Sequence, residues 1–246
     1  MREETVLVGG ARVRYKVAGE GEPVLLLHGL SGSTRWWRPV VPALAERYRL
    51  YLLDLPGFGS RRHRVPWRPF NEVSAWIVSW MDAVGIGPAH VVGHSMGGAL
   101  AVRLAVDTPQ RVQRLVLVDA AVVPISPYLP GYALPFTRAV RRLAPAFLPV
   151  LAFDAIRAGP RTLRRAAVDL LQQDLRPDLG RVQAPTLIIW GAEDTLVPLP
   201  VGRLLRDEIP QARLVVLPHA GHVPMYDDPV AFDQAVLPFF EEGKIS

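Results

Sequence analysis

Three side chains in this sequence are of the types needed to transfer an acyl group: Ser95 in "VVGHSMGGAL", Asp194 in "LIIWGAEDTLVP" and His222 in "PHAGHVPMYDDP". A serine hydroxyl is a weak nucleophile at neutral pH. It needs a base to take its proton, and the base needs a carboxylate to hold its ring in the correct tautomer. Ser95 lies between Gly93 and Gly97, after one apolar run and before another. The pattern reads as strand, sharp turn, helix, and a strained serine held outward on such a turn requires small flanking residues. Taken alone, G-x-S-x-G fits a turn serine or a helix cap equally well.

Six histidines compete for the role of base. His222 follows the last apolar run and precedes the last helical segment, which places it at the same sheet edge as Ser95. His219, three residues earlier, is the main competitor and reads as a structural hydrogen-bonding residue at a strand end. His94 adjoins the serine and must point away from it, while His63 and His90 read as loop residues, and His28 in "LLLHGLSGSTRWW" reads as a turn residue. For the carboxylate, Asp194 is preferred to its neighbour Glu193. Asp119, at the end of "RLVLVDA", stays open as a second choice because it too ends a strand. Attack on a carbonyl also needs donors for the negative oxygen that forms, and the backbone N–H groups of Met96 and Leu30 are the candidates.

The elements that must position these groups are legible as alternating patterns. Runs such as "TVLVG", "RVRYKVAG", "PVLLLHG", "YRLYLLD", "HVVGHS", "RLVLVDA", "PTLIIWG" and "ARLVVLP" predict eight strands, the later ones apolar on both faces as buried parallel strands are. "TRWWRPVVPALAER", "FNEVSAWIVSWMDAVG", "MGGALAVRLAVDTP", "PVGRLLRDEI" and "DPVAFDQAVLPFFEEG" carry helical spacing between or after them. The alternation predicts an α/β protein with a mostly parallel, doubly wound sheet whose first two strands pair through Gly9 and Gly10. From about residue 122 to 180 the chain has helical spacing and no convincing strand, so an all-helical insertion after the sixth strand is expected. The core is then 1–121 plus 181–246. The insertion holds 8 Arg against 4 Asp and accounts for most of the net charge of +5.

With 246 residues and half of them hydrophobic, the chain can bury a substantial core. The absence of cysteine excludes disulfides and thiolate catalysis. Only Lys16 and Lys244 are lysines, so 26 of the 28 basic residues are arginine, and with 24 prolines this bias fits genome composition or thermal adaptation. No nucleic-acid recognition motif accompanies the basic balance, so nucleic acid is not an expected partner. The charged N-terminus lacks the apolar region of a secretory signal, and no run is long enough to span a bilayer. A cytoplasmic protein without stable membrane insertion, monomeric or homodimeric, is expected.

Five segments in order, "HGLSGS" (28–33), "DLPGFGSR" (54–61), "GHSMGG" (93–98), "WGAEDTLVP" (190–198) and "GHVPMYDDP" (221–229), resemble the α/β-hydrolase superfamily over essentially the whole chain. The resemblance implies the α/β-hydrolase fold, a mostly parallel eight-stranded sheet flanked by helices with a helical cap after the sixth strand. It also implies the triad order Ser95, Asp194, His222 and an oxyanion hole at Leu30 and Met96. Ser95 stands where haloalkane dehalogenases and epoxide hydrolases carry aspartate, which disfavours alkyl-ester chemistry. Met96 and His94 depart from the proline iminopeptidase pattern, and "HGLSGS" lacks the Gly-Pro pair usual in carbon-carbon bond hydrolases of aromatic degradation. The expected activity is a carboxylesterase acting on small to medium apolar esters, with no metal or organic cofactor. A carbon-carbon bond hydrolase of a β-diketone or dienoate, and a non-catalytic receptor on the same fold, are the alternatives. Trp36, Trp37, Tyr128, Phe136, Phe153, Val197 and Val223 are expected to line the pocket with Leu30 and Met96.

Overall fold

The computed structural model of the protein describes residues 1–59, 65–124, 131 and 133–242. Eight strands form one sheet in the order β1-β2-β4-β3-β5-β6-β7-β8. These are β1 (Arg2–Val8), β2 (Ala11–Ala18), β3 (Glu22–Leu27), β4 (Tyr48–Leu53), β5 (Ala89–His94), β6 (Val112–Val118), β7 (Thr186–Gly191) and β8 (Ala212–Leu217). β1 pairs antiparallel with β2, closing at Val8 and Ala11, and β2 pairs antiparallel with β4. The other five pairings are parallel. Gly9 and Gly10 both take positive φ, 55° and 79°, the backbone that a two-residue hairpin matched to strand twist demands.

Helices cover both faces. On one lie α2 (Phe70–Val84), α3 (Met96–Asp107) and α8 (Leu199–Glu208), with Trp80 and Trp190 in that half of the core. On the other lie α1 (Val41–Ala45) and α10 (Pro229–Glu241), with Trp37, Phe232 and Phe240. Between β6 and β7 the chain forms α4 (Ala133–Arg142), α5 (Leu148–Ala158), α6 (Pro160–Leu171) and α7 (Arg176–Leu179), and a short helix α9 (Pro224–Asp227) precedes α10. The helix expected over "TRWWRPVVPALAER" is two shorter pieces, a 3-10 turn at Thr34–Trp37 and α1. Pro39 and Pro42 lack the N–H that a continuous helix would need there. His90, expected in a loop, lies in β5 with its ring stacked 4.4 Å from that of Phe240. His63 lies outside the described residues. Among those residues no helix is long and apolar enough to cross a membrane.

The turn from β5 into α3 is built by close backbone approach. A Cβ on Gly93 would sit 2.3 Å from the Gly97 carbonyl oxygen, and one on Gly97 would sit 2.2 Å from that of Leu27. Only glycine at both positions lets α3 start against the end of β3. Ser95 then takes φ 52°, ψ −116°, a conformation costing about 1–3 kcal/mol that the surrounding bonds maintain. Its N–H donates to Val118 O at 2.9 Å, and its carbonyl accepts from Gly98, Ala99 and Ala121.

A carboxyl outside this turn is held in an unfavourable setting. Asp233 on α10 is half-buried, its Oδ1 has no hydrogen-bond partner among the described residues, and burial pushes its carboxyl up to about 7. The folded state therefore holds a proton on Asp233 that the unfolded chain has lost, between the unfolded carboxylate range near pH 4 and about pH 7. Stability from this group falls as pH rises through that window. Asp233→Asn is expected to raise the unfolding free energy read by urea denaturation at about pH 8, by on the order of 1 kcal/mol after screening, and to leave it nearly unchanged at about pH 4.

Candidate functional site

The carboxyl ends of β3, β5, β6, β7 and β8 converge, and the loops leaving them hold the reactive groups. His222 Nε2 lies 3.1 Å from Ser95 Oγ, and its Nδ1 lies 2.7 Å from Asp194 Oδ2. All three side chains are buried, with residue exposures of 7, 7 and 8% for Ser95, Asp194 and His222. Asp194 is locked by its own loop: its Oδ1 accepts from Leu196 N–H at 2.7 Å and Val197 N–H at 3.0 Å. With Oδ2 against the ring, Nδ1 carries the proton and Nε2 keeps its lone pair facing the serine hydroxyl.

His222 is fixed from behind as well. His94 is fully buried, and that burial, with the neighbouring His222 ring, holds its imidazole well below the ordinary range and neutral. Its Nε2–H donates to the His222 carbonyl at 2.6 Å, and its ring stands 5.0 Å from that of His222. Asp227 adds a third restraint, its Oδ2 accepting from Gly221 N–H at 2.9 Å. His219 is exposed in the turn after β8. Glu193 points outward and ion-pairs with Arg142 of α4. Asp119 is fully buried beside the site, its Oδ1 accepting from Gly191 N–H at 3.0 Å. Asp194 is the carboxylate hydrogen-bonded to His222.

The loop after β3 is held by buried hydrogen bonds. His28 Nε2 accepts from Leu55 N–H at 3.0 Å and its Nδ1–H donates to Gly29 O at 2.8 Å, a neutral ring in a structural role. Asp54 Oδ1 accepts from Thr34 N–H at 2.8 Å. Sequence reasoning missed Asp154, a buried carboxylate on α5 whose Oδ2 accepts from Ser33 Oγ at 2.6 Å and whose Oδ1 accepts from Arg35 Nη1 at 2.9 Å. The one available signal was a lone acid in the apolar run "PVLAFDAI". Asp154 ties the helices between β6 and β7 to the loop that carries Leu30. Asp154→Ala is expected to lower stability by about 1–3 kcal/mol, read by urea denaturation.

A cavity of about 840 Å³ opens over Ser95 and His222, lined almost wholly by hydrocarbon. Leu30, Trp36, Phe136, Val197 and Val223 contribute to its wall. Trp37 does not. It is fully buried in the core on the other side of its turn, its ring 6.5 Å from that of Phe232. Phe153 does not either, because its neighbour Asp154 takes the inward face of α5, leaving the ring exposed with the Arg35 and Arg157 guanidiniums 4.6 and 5.0 Å from its centroid. The Met96 side chain packs into the core beneath the turn. Tyr128 lies outside the described residues. A smaller hollow of about 410 Å³ beside Met1, Gly19 and Arg49 holds no nucleophile.

Asp119, Asp194 and His222 form one cluster of potential cation ligands, their donor atoms within 4.8 Å of one another. The Asp194 oxygens and the His222 nitrogens are already engaged by the hydrogen bonds above.

A family model described as the Alpha/beta hydrolase family matches residues 24–235. The chain belongs to the α/β-hydrolase family. This hydrolase is 32% identical to the 2-hydroxy-6-oxo-6-phenylhexa-2,4-dienoate hydrolase of Burkholderia cepacia, over 94% of the chain and 92% of that protein. It is 29% identical to the pimeloyl-[acyl-carrier protein] methyl ester esterase of Nitrosomonas europaea, over 90% and 97%. Among solved structures, the meta-cleavage product hydrolase from Pseudomonas fluorescens IP01 superposes with a TM-score of 0.81 at 28% identity, covering 98% of each chain.

Proposed function

We propose that the hydrolase is a carboxylesterase that works through an acyl-enzyme on Ser95. The observation that carries this reading is the continuous hydrogen-bonded line from Ser95 Oγ through His222 to Asp194 at the floor of an apolar cavity. His222 takes the hydroxyl proton as Ser95 attacks the ester carbonyl, and Asp194 stabilises the imidazolium. The proton passes to the leaving alcohol, and water repeats the sequence to release the acid. Leu30 and Met96 N–H groups, with no hydrogen-bond acceptor among the described residues, are the donors to the oxyanion. Residues 122–180 act as a cap, with α4, α5 and α6 walling the cavity. The apolar wall favours a small to medium hydrocarbon group on the ester.

A second reading, carbon-carbon bond hydrolysis of a dienoate or β-diketone, has its own support. Arg164 of α6 is the arginine among the residues lining the cavity and would be the partner of a substrate carboxylate there, and the Burkholderia cepacia relative bears a dienoate hydrolase name. The test compares kcat/KM for p-nitrophenyl esters of increasing chain length with that for a 2-hydroxy-6-oxo-dienoate. Ester turnover that peaks at intermediate chain length supports the esterase. Dienoate cleavage without ester turnover, reduced by Arg164→Ala, replaces it with the second reading.

A further inference from the structure

Asp119 is the fully buried charge-bearing residue beside the reactive groups that the proposed mechanism leaves unused. It follows the last residue of β6, beside β7, and takes φ +42°, an uncommon conformation for a residue with a side chain. Its N–H donates to Ile189 O at 3.1 Å, and its Oδ1 accepts from Gly191 N–H at 3.0 Å. Its other oxygen, Oδ2, is buried and meets no N–H or O–H donor among the described residues.

A carboxylate oxygen with no donor, sealed from water beside a second carboxylate, is a costly arrangement in any protein. Two buried carboxyls at this spacing do not both stay ionised, and the number of donors decides which keeps the charge. Asp194 receives two backbone N–H bonds and the His222 ring; Asp119 receives one N–H.

We infer that Asp119 is a neutral carboxylic acid whose Oδ2 hydroxyl donates to the Asp194 carboxylate, making it a positioning residue for the His222 base. Burial first, and then the Asp194 charge, raise the Asp119 carboxyl well above the usual carboxylate range. The titratable groups facing it are Asp194 from the loop after β7, His222 from the loop after β8 and Asp227 from α9. Asp227 is half-buried and accepts from Gly221 and Ala144 N–H groups, so its own lone pairs are engaged elsewhere. The bond from Asp119 restrains the Asp194 carboxylate that orients His222. When rising pH removes the Asp119 proton, a second negative charge appears beside the His222–Asp194 pair and the restraint is lost.

This inference rests on the serine-hydrolase reading for its kinetic consequence but not for its chemical one, and the tests separate the two. Difference infrared spectra of resting wild type against Asp119→Asn at neutral pH are expected to show a protonated carboxyl C=O band in wild type alone, disappearing as pH is raised. In ester turnover, Asp119→Asn keeps an N–H donor toward Asp194 and is expected to hold kcat within about threefold while losing the change in kcat that accompanies disappearance of the band as pH rises. Asp119→Ala, with no donor, is expected to lose at least about tenfold in kcat. Absence of the band in wild type, or an Asn variant with the wild-type pH profile, overturns the inference. Should the Ala variant fail to fold, the band and the Asn profile still decide it. Ester turnover that survives Ser95→Ala sinks the proposed function while leaving the band, and so the Asp119 proton, standing.

Discussion

Ser95→Ala is expected to lower kcat for a p-nitrophenyl ester by about 10⁴ to 10⁶, with KM changed far less. The hydroxyl is one small group in a wide cavity, so its removal leaves ground-state binding almost intact and deletes the atom that forms the acyl bond. Alanine fits the turn sterically as serine does, since the strain at φ 52° is already carried by Ser95 and the backbone bonds to Val118, Gly98 and Ala121 involve no side-chain atom. Thermal melting within a degree or two of wild type, combined with lost turnover, separates chemistry from folding. A fluorophosphonate probe is expected to label wild type and not the variant. Turnover or labelling at wild-type levels in the variant removes Ser95 from the mechanism.

The second large effect is expected at Asp194→Asn, about 10⁴-fold in kcat. An amide in place of the carboxylate presents an N–H toward His222 or, flipped, an oxygen of much weaker acceptor strength. The first choice places the imidazole proton on Nε2, the nitrogen that must accept from Ser95. Fold is expected to be largely retained because Leu196 and Val197 N–H groups donate to Oδ1, and an amide oxygen can take them. Such an assignment commits that oxygen and turns the amide nitrogen to the ring. If the loss is under tenfold, Asp194 is not what holds the tautomer.

How much of this was legible in the sequence depended on whether a residue's role is set by near neighbours or by distant ones. All eight strands announce themselves because each is a short apolar run rich in Val, Leu and Ile, closed by a turn residue. Ser95 was visible because the glycines that permit its turn lie within three residues of it. The side-by-side tryptophans were not separable: in a 3-10 turn, adjacent side chains diverge, sending Trp36 to the cavity and Trp37 to the core. Phe153 was misplaced for a related reason. On an isolated helix its aromatic ring reads as the buried face, yet the partner for Asp154 lies 121 positions away at Ser33, and that bond turns α5 so that the acid faces inward. Asp119 and Asp194 are brought together by β6 and β7 lying side by side, which local pattern places on one edge without giving their spacing.

The hydrogen bond from His94 to the His222 carbonyl joins the residue immediately before Ser95 to the backbone of the base. Both ends of the serine–histidine contact are thus anchored in a single mechanical piece, the end of β5, and neither can drift without dragging the other. On heating, such a site has no partial failure available to it. Catalysis is expected to persist unaltered up to the temperature at which the sheet itself gives way, so that inactivation and loss of tertiary structure trace one curve instead of two.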